Sequence, residues 1–211
     1  MKNVYVVTHP ESVHHLEGRV GGWYDTGLTE RGREHARRLA ARLVRELDGR
    51  RPRLVSSDLE RARQTAEIIA DELACPVDLT ADLRELSYGV AEGRPQSWLD
   101  ERFVPAPDHD RLDHRSIEGG ETKREFVTRV YRAVDRIVES PVTDHVIVTH
   151  GFALTFVIAR WIGLRADDAG YVNFRSSSGG LTHLQEDDYF RNRAVRFLND
   201  TRHLEADAAA G

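Results

Sequence analysis

Two short apolar runs constrain this chain most: Asn3-Val4-Tyr5-Val6-Val7-Thr8 and His145-Val146-Ile147-Val148-Thr149, each ending in Thr and followed at once by a histidine, His9 or His150. Short runs rich in Val and Ile read as strands buried on both faces, the kind found at the centre of parallel sheets. Such a sheet needs helices on both sides and binds its ligands beyond the C-terminal ends of its strands. Each run therefore delivers an imidazole to the edge where ligands bind. One histidine at a strand end is weak evidence for chemistry. Two matched ends predict a shared pocket, with the rings facing each other across an anion-sized gap.

The rest of the chain alternates in the same way. A Gly-rich loop, Gly18-Arg19-Val20-Gly21-Gly22, precedes Thr29, a good N-cap with Glu30 in the first turn. Ala36, Leu39, Ala40, Leu43, Val44 and Leu47 then fall at helical spacing. Leu54-Val55-Ser56 reads as a second strand, Leu59 to Leu73 as a helix and Val77-Asp78-Leu79 as a third strand. Residues 93–120 carry Pro95, Pro105, Pro107, Gly119 and Gly120 without periodicity, which predicts an irregular excursion over the sheet edge. A helix from Thr122 to Val138, with Phe126, Val130, Val134 and Ile137 inward, leads into the run ending at His150. Another helix is predicted from Phe152 to Ile162, and late strands at Gly180–Gln185 and Ala194–Leu198. The pattern predicts an α/β fold, a three-layer α/β/α sandwich on a mostly parallel sheet. It occupies one domain over residues 1–205, with 206–211 as a disordered tail.

At 211 residues the chain can bury a substantial core. No apolar stretch approaches the roughly 20 residues that span a bilayer, and the start lacks the features of a secretory signal, so the expected location is the cytoplasm. A net charge of −5 gives no footprint for nucleic acid. Arg37, Arg38, Arg42, Arg45, Arg50 and Arg51 alternate with an apolar stripe and read as a solvated helix face. The one cysteine, Cys75 beside Pro76, excludes an internal disulfide and reads as a packing residue in a helix-to-strand turn. His14, His15, His109 and His114 lack the spacing of a metal site, so no cofactor is expected. Neither a nucleic acid nor a membrane is an expected partner, and a homodimer is compatible with the reading.

Two further polar sites follow strands. Arg61, in the block Ser56-Ser57-Asp58-Leu59-Glu60-Arg61-Ala62-Arg63-Gln64-Thr65-Ala66, falls near a helix start, where backbone N–H groups favour an anion. Glu85 follows the third strand in Leu83-Arg84-Glu85-Leu86-Ser87-Tyr88-Gly89-Val90-Ala91-Glu92-Gly93. Histidine, arginine, glutamate and histidine at one sheet edge suit phosphoryl transfer through a phosphohistidine. An imidazole attacks phosphorus, cations hold the equatorial oxygens and a carboxylic acid protonates the leaving oxygen.

These blocks, with Leu28-Thr29-Glu30-Arg31-Gly32, Gly119-Gly120-Glu121-Thr122, Thr149-His150-Gly151 and the late Leu198 to Leu204, resemble the histidine phosphatase, or phosphoglycerate mutase-like, superfamily over nearly the whole chain. The resemblance implies that His9 is the nucleophile, Glu85 the general acid, Arg61 a clamp on the phosphoryl oxygens and His150 a donor to them. Thr8, His15, Arg19, Gly21, Tyr88 and Gly151 fall at substrate-binding positions. Glu11 is implied to support rather than catalyse, and Arg63, two residues from Arg61, faces elsewhere. Tyr88, Trp98, Phe103 and the stretch from His109 to His114 are read either as shaping a substrate pocket or as loop packing.

The first motif departs from the family pattern. Where the family has Arg-His-Gly-Glu, this chain has Thr8-His9-Pro10-Glu11. A rigid, permanently charged fork is replaced by one neutral hydroxyl. Two charge-assisted bonds of about 1.5–3 kcal/mol each correspond to about a hundredfold to ten-thousandfold in rate. Pro10 removes a backbone N–H, His15 replaces a family asparagine and Gly21 a family polar residue. His14, His15 or Arg19 turning inward would compensate. The resemblance implies a phosphatase acting on a small anionic, phosphorylated metabolite, in preference to a mutase, because mutases follow the glutamate with Arg-His-Tyr-Gly where this chain has Leu86-Ser87-Tyr88-Gly89. The alternative is a repurposed member that binds an anionic metabolite or does non-hydrolytic chemistry on it.

Overall fold

The two apolar runs are neighbouring central strands in the computed structural model, which describes residues 1–205. The elements run β1 (Lys2–Thr8), α1 (Val13–Leu16), α2 (Glu30–Leu47), β2 (Arg53–Ser57), α3 (Glu60–Leu73), β3 (Val77–Thr80), α4 (Gln96–Asp100), α5 (Lys123–Val138), β4 (Asp144–Thr149), α6 (Gly151–Trp161), β5 (Leu181–Glu186) and β6 (Arg193–Asp200). The sheet order is β3-β2-β4-β1-β5-β6. The first four of these are parallel, so their C-terminal ends share one edge, while β5 runs antiparallel to β1 and β6 to β5.

The strands read as unbroken apolar runs because both faces are covered. Val4 and Val6 of β1 and Ile147 of β4 pack with Phe126 and Val130 of α5 and Phe156 of α6. Tyr5, Val7, Val146 and Val148 point the other way, onto Leu39 and Leu43 of α2 and Ile69 of α3. This is the period-two alternation of a pleated strand. Burying a side chain such as Phe156 fully contributes about 2–3 kcal/mol. Ala153 to Ala159 of α6 are all buried, which explains a helix apolar on every side.

Local signals act as read. Thr29 Oγ1 accepts from the Gly32 N–H at 2.9 Å, and Thr122 caps α5 with Glu125 returning the bond. Cys75 sits in the turn between α3 and β3, packed against the core. Three details differ. Val44 is 41% exposed, so the apolar face of α2 is narrower than its spacing suggests. The irregular excursion over 93–120 contains α4 and a 3-10 turn, Asp108–Asp110. Residues 13–16 form α1, where the Ser12 N–H donates to His15 Nδ1 at 3.2 Å. The predicted tail, 206–211, lies outside the described residues. Among the described residues no helix is long and apolar enough to cross a membrane.

Candidate active site

Strand register brings the two histidines together. Thr8 lies opposite Thr149 in the β1–β4 pairing, and the His9 N–H donates to the Thr149 carbonyl at 3.0 Å. The imidazoles that follow are therefore neighbours, with ring centroids 5.0 Å apart and planes at 67°. The rings meet edge to face, not across an anion-sized gap. The space for an anion lies beside them, in a cavity of about 210 Å³ lined by His9, Arg61, Glu85, Gly151 and the Ser176–Ser178 segment, with His14 and His15 at its side.

His9 is held in one tautomer. Its Nδ1 lies 2.8 Å from the Pro10 carbonyl, an acceptor only, so Nδ1 carries the proton and Nε2 keeps its lone pair. Burial, and then the Arg61 cation, hold the His9 pKa well below the usual imidazole value, so the ring is neutral and nucleophilic. Pro10 lacks an N–H but still supplies this carbonyl.

Arg61, fully buried near the start of α3, donates through Nε to His9 Nε2 at 3.2 Å. Its two terminal nitrogens donate to the carbonyls of Tyr24 at 2.9 Å and Gly22 at 2.7 Å. The Gly-rich loop thus fixes the guanidinium in front of the nucleophile. Gly22 has φ +57°, and a side chain there would meet Glu92 at 2.9 Å and the Leu86 carbonyl at 3.1 Å, so this tight approach calls for glycine. Of the five guanidinium protons, the two beyond these three bonds remain for an anion.

Glu85 is clamped from several sides. Its carboxylate accepts from the Leu86 N–H at 2.8 Å and the Phe152 N–H at 2.9 Å. Its carbonyl accepts from Arg129 and from the Trp23 indole. The neighbouring Leu83 carbonyl accepts from Thr149 Oγ1 at 2.8 Å, tying this segment to β4. Burial raises the Glu85 pKa despite those two amides, which favours the protonated form a general acid needs.

His150 is completely buried. Its Nε2 lies 2.8 Å from Ser57 Oγ, and its Nδ1 has no partner. A hydroxyl can donate or accept here; the tautomer in which Ser57 donates puts the proton on Nδ1, next to His9. Unlike His9, His150 lies behind the cavity and does not line it. Ser57 closes β2 inside the Ser56–Ala66 block, yet its orienting role is not readable from residue type. Ser176, Ser177 and Ser178 carry no sequence signal for the cavity wall they form.

The remaining predicted residues divide. His15 borders the cavity, and because its Nδ1 accepts from Ser12, its proton sits on Nε2. His14 is buried, with Nε2 2.8 Å from where a Cβ on Gly21 would lie. His14 thus takes the room of a side chain at 21, and Gly21 does not itself border the cavity. Burial, then His15 and Arg61, lower the His14 pKa to about 3. Gly151 lines the cavity. Thr8 borders it too, but its hydroxyl donates to the Ser177 carbonyl at 2.6 Å and accepts from the Gly180 N–H at 3.1 Å, so its proton is engaged in the fold. Arg19 points away: it pairs with Glu17 at 3.0 Å and donates to the Gly93 carbonyl. Tyr88 lines a separate cavity with Phe103 and His114, whereas Trp98 packs with Val20, Ala91 and Leu99. Glu11 accepts from Thr29 Oγ1, and Arg63 pairs outward with Glu67. Among the described residues no group of three or more His, Cys, Asp or Glu side chains is arranged to hold a metal ion.

A family model of the histidine phosphatase superfamily, branch 1, matches residues 4–201. A curated relative from Erwinia tasmaniensis, named "Probable phosphoglycerate mutase GpmB", is 34% identical over 212 residues, covering 99% of this chain and 97% of the relative. Among solved structures, the alpha-ribazole phosphatase from Shigella flexneri is 27% identical with a TM-score of 0.76, covering 94% of this chain and 96% of that one. YhfR of Bacillus stearothermophilus is 26% identical with a TM-score of 0.78, covering 97% and 100%. The chain belongs to the histidine phosphatase superfamily, and its architecture is that of the family's phosphatase-type enzymes.

Proposed function

We propose that this protein hydrolyses phosphate monoesters of a small anionic metabolite through a phosphohistidine on His9, without a metal. The observation that supports this most is the Nε2 lone pair of a neutral His9, held against a fixed guanidinium, with a carboxyl group of raised pKa in the same cavity. In the first step the Arg61 Nε–H lets go of His9 Nε2 and turns to a phosphoryl oxygen, the freed Nε2 lone pair bonds to phosphorus, the P–O bond to the leaving group breaks and Glu85 gives its proton to the departing oxygen. Arg61 holds the phosphoryl oxygens, and His150 Nδ1–H donates as charge builds. In the second step water attacks phosphorus, Glu85 takes its proton and the Nε2–P bond breaks, restoring neutral His9.

Thr8 cannot replace the family arginine, because its proton is held by Ser177. His15 Nε2–H stands at the cavity and supplies a neutral donor instead. Hydrolysis is favoured over mutase chemistry because residues 86 and 87 are Leu and Ser, with Ser87 engaged by Glu92 and Glu121. The engaged Thr8 is also the feature that favours a repurposed, non-hydrolytic pocket. The test is turnover of aryl phosphates in chelator. Weak but measurable hydrolysis, abolished in His9→Ala, supports the reading, and undiminished activity in His9→Ala overturns it.

A further inference from the structure

Next to the general acid the character of the wall changes. Glu85 and Gly151 line the polar cavity, while Leu86 and Phe152, whose amides hold the Glu85 carboxylate, line a second cavity of about 310 Å³. Because Glu85 and Leu86, and Gly151 and Phe152, are chain neighbours, the second cavity lies beside the general acid, on the side a leaving group would take. Phe103, Pro105, Ala106 and Ile117 give it an apolar wall large enough for a ring.

Its charges are unbalanced. Glu121, the acid on this wall, is engaged by Arg129 through two bonds of 2.7 Å. Lys123, half-buried on the same wall, has no carboxylate partner among the described residues; its ammonium donates to the Gly170 carbonyl at 2.6 Å and lies 5.8 Å from the Phe152 ring centroid. Arg111 reaches the same carbonyl and lies over the Tyr171 ring at 4.2 Å, and its one carboxylate partner among the described residues is Asp108, an 88% exposed acid, at 3.4 Å. Burial, reinforced by Arg111, lowers the Lys123 pKa, as fits an ammonium lacking a counter-ion. An apolar slot ending in an unpaired, partly desolvated cation selects an anion at a fixed distance from a hydrophobic body.

We propose that the leaving group is an apolar or aromatic body carrying a second anionic group, which Lys123 binds. This rests on the phosphatase reading and specifies its substrate class. The test compares phenyl phosphate, 3-carboxyphenyl phosphate and the neutral 3-carbamoylphenyl phosphate on the native enzyme and on Lys123→Met and Lys123→Gln. The native enzyme should prefer the carboxylate ester over the carboxamide by tenfold or more in kcat/KM, the scale of one charge-assisted hydrogen bond. In both variants that ratio should fall to about one. Because the ratio is taken within one preparation, partial misfolding does not alter it. Inhibition by 3-hydroxybenzoate but not 3-hydroxybenzamide, lost in both variants, should accompany it. Equal use of the two esters by the native enzyme, or a preference surviving in both variants, overturns the inference while leaving phosphatase activity intact. No turnover of any ester would remove the phosphatase reading and this one with it.

Discussion

Replacing Thr8 with arginine restores the family residue but not, on this structure, the family rate. Thr8 is 3% exposed, and its hydroxyl bridges the Ser177 carbonyl and the Gly180 N–H. Both partners keep a bond to each other at 2.9 Å, so losing the bridge removes two hydrogen bonds of about 1 kcal/mol each without orphaning a buried group. For a chain of this size about 2 kcal/mol corresponds to a Tm lower by about 4–8 °C. The bridge also tethers the Ser176–Ser178 wall of the phosphoryl cavity, so a guanidinium gained there comes with a loosened site. Expected for Thr8→Arg is the Tm loss above and a gain below about tenfold in kcat/KM for p-nitrophenyl phosphate, against the hundredfold or more that two added charge-assisted bonds would give. Adding Pro10→Gly should change little, since glycine offers His9 the same carbonyl. A hundredfold gain at unchanged Tm would refute the reasoning and mark Thr8 as a simple defect.

Glu85→Gln should slow alkyl phosphates far more than p-nitrophenyl phosphate, whose leaving group needs no proton. Because burial raises the Glu85 pKa, the acid form persists above the ordinary glutamate range; kcat falls as pH rises through that pKa, and this basic limb should vanish in the variant. Ser57→Ala frees the His150 tautomer and should lower kcat about tenfold, the scale of one hydrogen bond plus its orientation, with KM little changed in steady-state assays. Buried neutral histidines set the acid stability. His14 and His145, held at about 3 and about 4, lie below the unfolded value, so their contribution is present above about pH 6.5 and lost as pH falls through the folded values. At pH 5 each group costs at most about 2 kcal/mol. Thermal melts should show Tm falling from pH 7 to 5, less steeply in His145→Phe.

The sheet was legible because Val and Ile runs with covered faces leave few alternatives, and His9 and His150 were legible because their strands end alike. What the sequence could not show is pairing across long separations. The Thr8 hydroxyl finds Ser177, 169 positions away, and Ser57 becomes the partner of His150 only once β2 and β4 lie side by side. Arg19 falls at a substrate-binding position of its motif, but the nearby Glu17 and the Gly93 carbonyl hold it outside. Lys123 gave no signal, since an unpaired cation is defined by the absence of partners from other segments.

The most direct test of the central claim is to quench the enzyme during turnover of an aryl phosphate and map the label by 31P NMR and peptide mass spectrometry. The account predicts an acid-labile, alkali-stable phosphoramidate on Nε2 of His9 that accumulates in Glu85→Gln and is absent from His9→Ala. A phosphoryl group on another residue, or steady hydrolysis with His9 never labelled, would contradict it.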